Sequence, residues 1–461
     1  MVGALPFFKD QVTTDVYLSD VFYMLASMAI ILAVLGLGLI DAGLWRAKNQ
    51  LDNWVQKIVG SLLAGLAFMF VGYGIWNWQF DEAFGVPNAF DSAINSWWIG
   101  GDLWRAFAHT VDPAVLPTAD VFQVFALFFL TYAMVIAVLI HGAGHERLKP
   151  VPFYVMAVVS GGIMMPLLTY FTWGSASPLT NRGVHDYVGI FSLYMYVGVF
   201  ATVLAWRLGP RLGAFKPHPR TTGPQITNWG FVGSGVVILM FAIPFIVLGC
   251  GYIVPGAGYF GISMTTSGFG IAFANVFMGF CGGAVTGTLL AYLTRNPAWA
   301  LFGPIGGYVS GTALFDITVP WKTVIVALFA PPLMWLTYVI FKKLGIDEPK
   351  IAPLTLLPSI YGAIVAGFIG WHVDTGGYFG LKGEYGFQHA QITPYWQLVG
   401  VGVTVGMTLI AALIVVVGLE KTIGIRVKEE GELAGLDTEY WGAAPAPATD
   451  IPPGTAPAAT S

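Results

Sequence analysis

The chain has 461 residues, 56% of them hydrophobic and 10% charged, with 58 Gly, 28 Pro and a net charge of −4. Soluble domains carry roughly 25% charged residues, so a chain this long with so little polar surface cannot cover its apolar atoms in water and is expected in lipid. No basic tract supports nucleic-acid binding, and no long polar segment is left for a separate catalytic domain.

Taken in chain order, apolar runs long enough to cross about 30 Å of hydrocarbon fall at 21–42, 57–77, 119–141, 151–173, 187–207, 229–252, 266–293, 298–318, 322–341, 353–371 and 397–419. Each run is continuously apolar and Leu/Ala/Gly-rich, which fits helices and not the alternating pattern of barrel strands. The expected fold is therefore all-α and polytopic, with eleven transmembrane helices. With the N-terminus outside and the C-terminus in the cytoplasm, sixteen of the 21 basic residues lie in inner loops, while the 78–118 loop holds Asp81, Glu82, Asp91, Asp102 and Asp112. That asymmetry follows the positive-inside rule and suits a cell inner (plasma) membrane protein. Residues 1–20 read as an extracytoplasmic segment without a removable signal peptide, 21–420 as the membrane domain, 421–442 as a cytoplasmic segment and 443–461 as a disordered Ala/Pro/Thr-rich tail.

Gly279, Gly283 and Gly287 share one face of the seventh helix, and Gly303, Gly307 and Gly311 share one of the eighth. Such stripes permit close helix packing, with a glycine-lined permeation path as the alternative. Ionisable groups within or beside the spans are expensive and few: Asp41, Asp186, Asp316, His141 and His372. Asp41 is expected to reach toward the inner interface and Asp316 to cap a helix. Asp186 reads equally as an N-cap or as a carboxylate organising an outer vestibule. Cys250 and Cys281 lie in apolar runs and read as buried packing residues, not as a disulfide or metal pair. No phosphate loop, C-x-x-C or H-E-x-x-H occurs, so neither an enzyme nor a cofactor is expected.

Several segments resemble the ammonium transporter (Amt/Mep/Rh) family from about residue 21 to 442. The run Gly36 to Asn49, with Asp41, Gly43, Arg46 and Lys48, is similar to that family's first helix exit. Gly142-Ala143-Gly144-His145-Glu146-Arg147, Trp173-Gly174, Asp186-Tyr187-Val188-Gly189, Ala214-Phe215-Lys216-Pro217-His218, Ala272-Phe273-Ala274-Asn275 and Asp347-Glu348-Pro349 follow in order. The tail Gly424-Ile425-Arg426-Val427-Lys428-Glu429-Glu430 with Gly435-Leu436-Asp437 is the most specific piece. The resemblance implies a homotrimer in lipid, two pseudo-symmetric five-helix halves with the eleventh helix peripheral, and a pore in each subunit. It also implies that ammonium is recruited at an aromatic and hydroxyl site, deprotonated, and passed along a hydrophobic lumen beside two histidines.

Carried over by position, Trp173, Asp186, Cys250, Tyr132 and Phe128 fall at the recruitment end, while Tyr194 and Leu356 occupy the two histidine positions. Ile243, Pro244 and Val247 replace a tryptophan, a phenylalanine and an asparagine of the family, and Trp441 stands where a histidine is usual. Two readings follow: conduction of ammonium or ammonia through a variant pore in which Tyr194 is the only hydroxyl beside Leu356, or an altered role. The altered role is a channel for another small neutral solute, or a non-conducting receptor or accessory subunit. A cytosolic regulatory protein is expected, if anywhere, at the inner loops 46–57, 142–150, 208–228 and 420–442.

Overall fold

The computed structural model describes residues 14–105, 119–250, 252–254, 258–260, 269–375 and 390–443. Asp112, most of the N-terminal segment and nearly all of the 443–461 tail lie outside the described residues.

The long apolar runs fold as helices, because a backbone in hydrocarbon must satisfy its own N–H and C=O groups. They are α1 (Thr14–Leu44), α2 (Ala47–Ala83), α3 (Ala119–Gly144), α4 (Pro150–Thr172), α5 (Ile190–Leu208), α6 (Trp229–Gly249), α7 (Phe269–Thr294), α8 (Ala298–Gly311), α9 (Pro320–Leu344), α10 (Ile351–Ile369) and α11 (Pro394–Thr422). Among the described residues, ten helices are long and apolar enough to cross a membrane, and α8, with 14 residues, is not one of them. At about 1.5 Å per residue it falls short of the roughly 30 Å hydrocarbon layer.

The expected 298–318 run is thus divided, and the reason lies in α7. Asn275 donates from Nδ2 to the carbonyls of Phe315 at 2.7 Å and Thr318 at 2.9 Å, while its Oδ1 accepts from Thr323 Oγ1 at 3.0 Å. This amide takes two carbonyls of the non-helical backbone after Gly311, and the Val188 N–H takes that of Thr312 at 3.1 Å, so chain that has left the helix can stay buried. Beyond the spans, the acidic loop contains the helix Ala89–Trp97, and two short antiparallel hairpins form, Tyr252–Val254 with Gly258–Phe260 and Asp374–Thr375 with Ala390–Gln391.

Packing follows the small residues. A Cβ at Gly283 would collide with the carbonyl oxygen of Gly303, and one at Gly307 with that of Gly279, so the two stripes bring α7 and α8 into backbone contact. α1 packs on α6 and α3, and α10 lies among α5, α8, α9 and α11. Outward faces stay apolar, with Val285, Leu289 and Leu293 of α7 and Ile410 and Ile414 of α11 all exposed, as suits a lipid-facing surface. Gly283→Val should force α7 and α8 apart and destabilise the protein by about 1–3 kcal/mol, read as a lower thermal midpoint in detergent. Gly270→Ala, where an added Cβ meets nothing within 4 Å, should leave the midpoint unchanged.

Candidate functional site

At one end of the bundle, α2, α3 and α4 bring together Trp76, Phe125, Phe129 and Trp173. Ring centroids lie 4.8 Å apart for Trp76 and Phe129, 5.0 Å for Phe129 and Trp173, and 6.2 Å for the stacked Phe125 and Trp173. Trp173 ends α4, where its Nε1 donates to the Tyr187 carbonyl at 3.1 Å and its own carbonyl accepts from Trp76 Nε1 at 2.7 Å. The residue is only 6% exposed.

Asp186 follows closely. Its two oxygens accept from the N–H groups of Ile190 at 2.7 Å and Phe191 at 3.1 Å, so it caps the start of α5 as one of its two readings predicts. Burial pushes its carboxyl up to about 6 against these hydrogen bonds. Gly189 between them has φ 77°, and a side chain there would strike the Tyr132 hydroxyl. Phe128 packs where a Cβ on Gly249 would fall, one residue from the buried Cys250, whose Sγ lies 3.5 Å from the Ile246 carbonyl.

Below this aromatic end the helices enclose a cavity of about 80 Å³. About 10–15 Å³ of such space holds one water, so several molecules the size of ammonia fit. Its wall is aliphatic, with Ile30, Leu37, Val135, Leu239, Ile243 and Ile305 typical, and is interrupted by the side chains of Tyr132, Tyr194, Tyr308, Thr355 and Lys350. The Tyr194 and Tyr308 hydroxyls meet at 3.1 Å across the space between α5 and α8, with their rings nearly perpendicular at 85°. Tyr194 is therefore not the only hydroxyl, and its partner is a second phenol rather than Leu356. α10 offers Ile351, Leu354 and Thr355 to the cavity, whereas the Leu356 backbone packs against Gly198 of α5. Tyr308 and Lys350 were missed because each reads as something else in sequence: one as an aromatic in a glycine-rich packing run, the other as a loop cation.

The opposite end is ionic. Arg46 donates from Nε to Glu146 at 3.1 Å, Arg211 grips Asp347 at 2.7 and 2.9 Å, and His145 meets Glu348 at 3.2 Å, all buried. The C-terminal segment closes over them. Glu432 accepts from Leu212 N at 2.7 Å, and Asp437 accepts from the N–H groups of Leu51 at 3.0 Å and Asp52 at 2.8 Å. Trp441 donates to Asp52 at 3.1 Å. Asp41 does not reach toward water as expected. It is 1% exposed, because Lys57 and Lys350 converge on its two oxygens. Asp316 pairs with His185 at 3.0 Å. Among the described residues, no cluster of three His, Cys, Asp or Glu could hold a metal ion.

A helical bundle with lipid-facing flanks, an apolar internal cavity and charge gathered at one end defines a polytopic membrane protein. The Ammonium Transporter Family model matches residues 21–445, and the chain belongs to that family, one of transporters and not of enzymes. It is 26% identical over 427 residues to ammonium transporter Amt1 of Methanocaldococcus jannaschii, covering 90% of this chain and 94% of that protein. It is 22% identical to the ammonium transporter of Bacillus subtilis, covering 92% and 96%. Among solved structures, a Sensor Amt Protein superposes with a TM-score of 0.72 at 18% identity, covering 93% of this chain and 99% of that one. Mep2 of Candida albicans gives 0.69 at 18% identity, covering 92% and 89%.

Burial alone would raise the Glu146 carboxyl, but the Arg46 and Arg211 guanidinium groups outweigh it and hold it down at about 2. Asp347, against Arg211 and Arg147, is likewise held below the usual carboxylate range despite its burial. A carboxylate whose folded value lies under its unfolded value of about 4.3 contributes stability that is complete above that value and lost as pH falls through about 2. The thermal midpoint in detergent should therefore fall as pH drops from about 4.5 toward 2. Glu146→Gln should flatten part of that slope and lower stability at neutral pH by about 3–5 kcal/mol, the cost of stranding a buried ionic partner.

Proposed function

We propose that this protein carries ammonium across a membrane by delivering it as neutral ammonia through a variant pore. The observation that supports this is the phenol pair Tyr194 and Tyr308, joined at 3.1 Å inside an otherwise aliphatic cavity. A bare cation at mid-membrane costs several kcal/mol or more, and shedding one proton removes most of that cost. A phenol donates its O–H to the ammonia lone pair and accepts from an N–H, so two phenols hold the molecule without an imidazole.

At the aromatic end, Trp173 with Phe125 and Phe129 offers π faces of the kind that attract a small cation. Tyr132, Phe128 and Cys250 line the way from that cluster toward Tyr194, and Asp186 fixes the start of α5 so that Tyr194 faces the cavity. Leu356 acts as packing against Gly198 and not as the second pore group. The basic end of the bundle, with Arg46, Arg147, Arg211 and Lys350, is the cytoplasmic side by the positive-inside rule. The protein acts as a homotrimer of two five-helix halves plus peripheral α11 in each subunit, in the cell inner membrane. A cytosolic regulator would meet the basic end and its C-terminal segment.

A second reading keeps the family fold but not conduction: a receptor or accessory subunit, or a channel for another small neutral solute. It is favoured by the tight packing of Trp76, Phe125, Phe129 and Trp173 over the cavity and by the likeness to a protein called a sensor. The deciding measurement is ammonia and methylammonium uptake by proteoliposomes. Wild-type protein should exceed empty vesicles, and Tyr194→Phe with Tyr308→Phe, which removes both hydroxyls and keeps both rings, should cut uptake about tenfold, one hydrogen bond's worth. Uptake equal to that of empty vesicles would favour the receptor, and an unchanged rate in the double variant would remove the phenols from the mechanism.

A further inference from the structure

The two phenols that meet in the cavity sit on different helices, and each stands close to an irregular stretch of backbone. Tyr308 lies in the last turn of α8, which stops at Gly311, and Tyr194 lies in the π-helical turn Ile190–Met195 that opens α5. The chain leaving α8 and the chain entering α5 are joined twice. The Val188 N–H donates to the Thr312 carbonyl at 3.1 Å, and His185 Nε2 lies 3.0 Å from Asp316 Oδ1.

The second join is braced by three further elements. Asn275 of α7 takes the carbonyls of Phe315 and Thr318, which flank Asp316. Gln397 of α11 pairs with the His185 backbone both ways, accepting from its N–H at 3.0 Å and donating to its carbonyl at 3.1 Å. Thr375 Oγ1 lies 3.2 Å from His185 Nδ1, so with the proton on Nε2 the ring donates to the carboxylate and accepts from the hydroxyl. Both side chains of the pair are wholly buried, and among the described residues the other Asp316 oxygen has no hydrogen-bond partner. A buried carboxylate with one bare oxygen costs stability, so the pair is not explained by stability alone. What it does is geometric: it fixes the chain after α8 against the run whose next residue, Asp186, holds the N–H groups of Ile190 and Phe191.

We propose that His185 and Asp316 are positioning residues, a clasp that with Val188 and Thr312 sets α5 against α8 and so sets the 3.1 Å approach of Tyr194 to Tyr308. Neither side chain lines the cavity, and both act through the phenols. A hydrogen bond weakens steeply with distance and angle, so a slip of about 1 Å between the two helices leaves the hydroxyls as separate groups. The clasp's part in transport rests on the reading above, while its hold on the phenols is measured without transport. Full-length wild type, Asp316→Ala, Asp316→Asn and Thr375→Val are reconstituted in vesicles for ammonia uptake, each also with Tyr194→Phe and Tyr308→Phe. The same proteins, grown with tyrosine isotopically labelled at the hydroxyl-bearing ring carbon, are compared by solid-state NMR, and the single Phe variants assign the two phenol signals. Asp316→Asn keeps an oxygen for His185 Nε2. Thr375→Val removes only the hydroxyl on Nδ1 and stands in for Asp316→Ala should that chain not fold.

Asp316→Ala should cut uptake about tenfold, one hydrogen bond's worth, with Thr375→Val losing less and Asp316→Asn staying within about twofold of wild type. Where both phenol hydroxyls are already gone, Asp316→Ala should cost less than about twofold more, since groups that act as one unit do not add. The Tyr194 and Tyr308 signals should move in Asp316→Ala and return in Asp316→Asn. Signals that stay in place, or a loss as large without the hydroxyls as with them, overturn the clasp and leave the transport reading standing in a wild type that takes up ammonia. Moved signals beside a wild type that takes up none support the clasp and overturn the transport reading alone. Unmoved signals without uptake overturn both.

Discussion

Helices in a bilayer gain little from hiding apolar surface against one another, so this bundle depends on how closely its backbones can approach. Five contacts show it. Gly36 of α1 and Gly235 of α6 each occupy space where a Cβ would meet the other's carbonyl, and Gly283 and Gly303 do the same between α7 and α8. Gly198 of α5 sits on the backbone of Leu356, Gly362 of α10 on the carbonyl of Ser310, and Gly161 of α4 on that of Ala64. These are van der Waals contacts at short range, and they are strong only when the fit is good. The cavity exists because α1, α3, α5, α6, α8 and α10 are pinned to their neighbours by such contacts and leave larger side chains facing one another in between.

The position of nearly every span was legible in the sequence, because a run of about twenty apolar residues has only one economical form in lipid. The exception is instructive. Residues 298–318 read as one span, yet the helix stops at Gly311, and two carbonyls beyond it, those of Phe315 and Thr318, are taken by an amide about forty residues upstream. Local composition carries no trace of a hydrogen bond supplied by another helix. The same limit explains the site. Tyr194 could be found by counting from Asp186, since both belong to one helix start, but its partner could not, since Tyr308 reaches it only after α5 and α8 pack. Asp41 stood out as an ionisable group in an apolar setting, while its lysines sit on α2 and just ahead of α10, far away in sequence.

Charge is partitioned along the molecule with little left over. The aromatic end carries tryptophan and phenylalanine rings whose polar atoms are spoken for by backbone carbonyls. The basic end concentrates arginines, acids and histidines in mutual contact, where burial would otherwise make each of them expensive. Between the two lies a stretch in which hydroxyl groups are the strongest polar feature before Lys350 is reached.

The cap on α2 is borrowed. After a 3-10 turn at Ala47–Asn49 its α-helical part begins at Gln50, and the first N–H groups there would ordinarily be satisfied by a residue immediately before it, yet Asp437 supplies both oxygens to Leu51 and Asp52 from the far end of the chain. Whatever lifts the C-terminal segment away also strips the head of a helix whose other end carries Trp76 against Trp173. One helix thus runs from the C-terminal segment at its foot to the aromatic cluster at its tip, with a π-helical turn at Phe68–Gly72 between them.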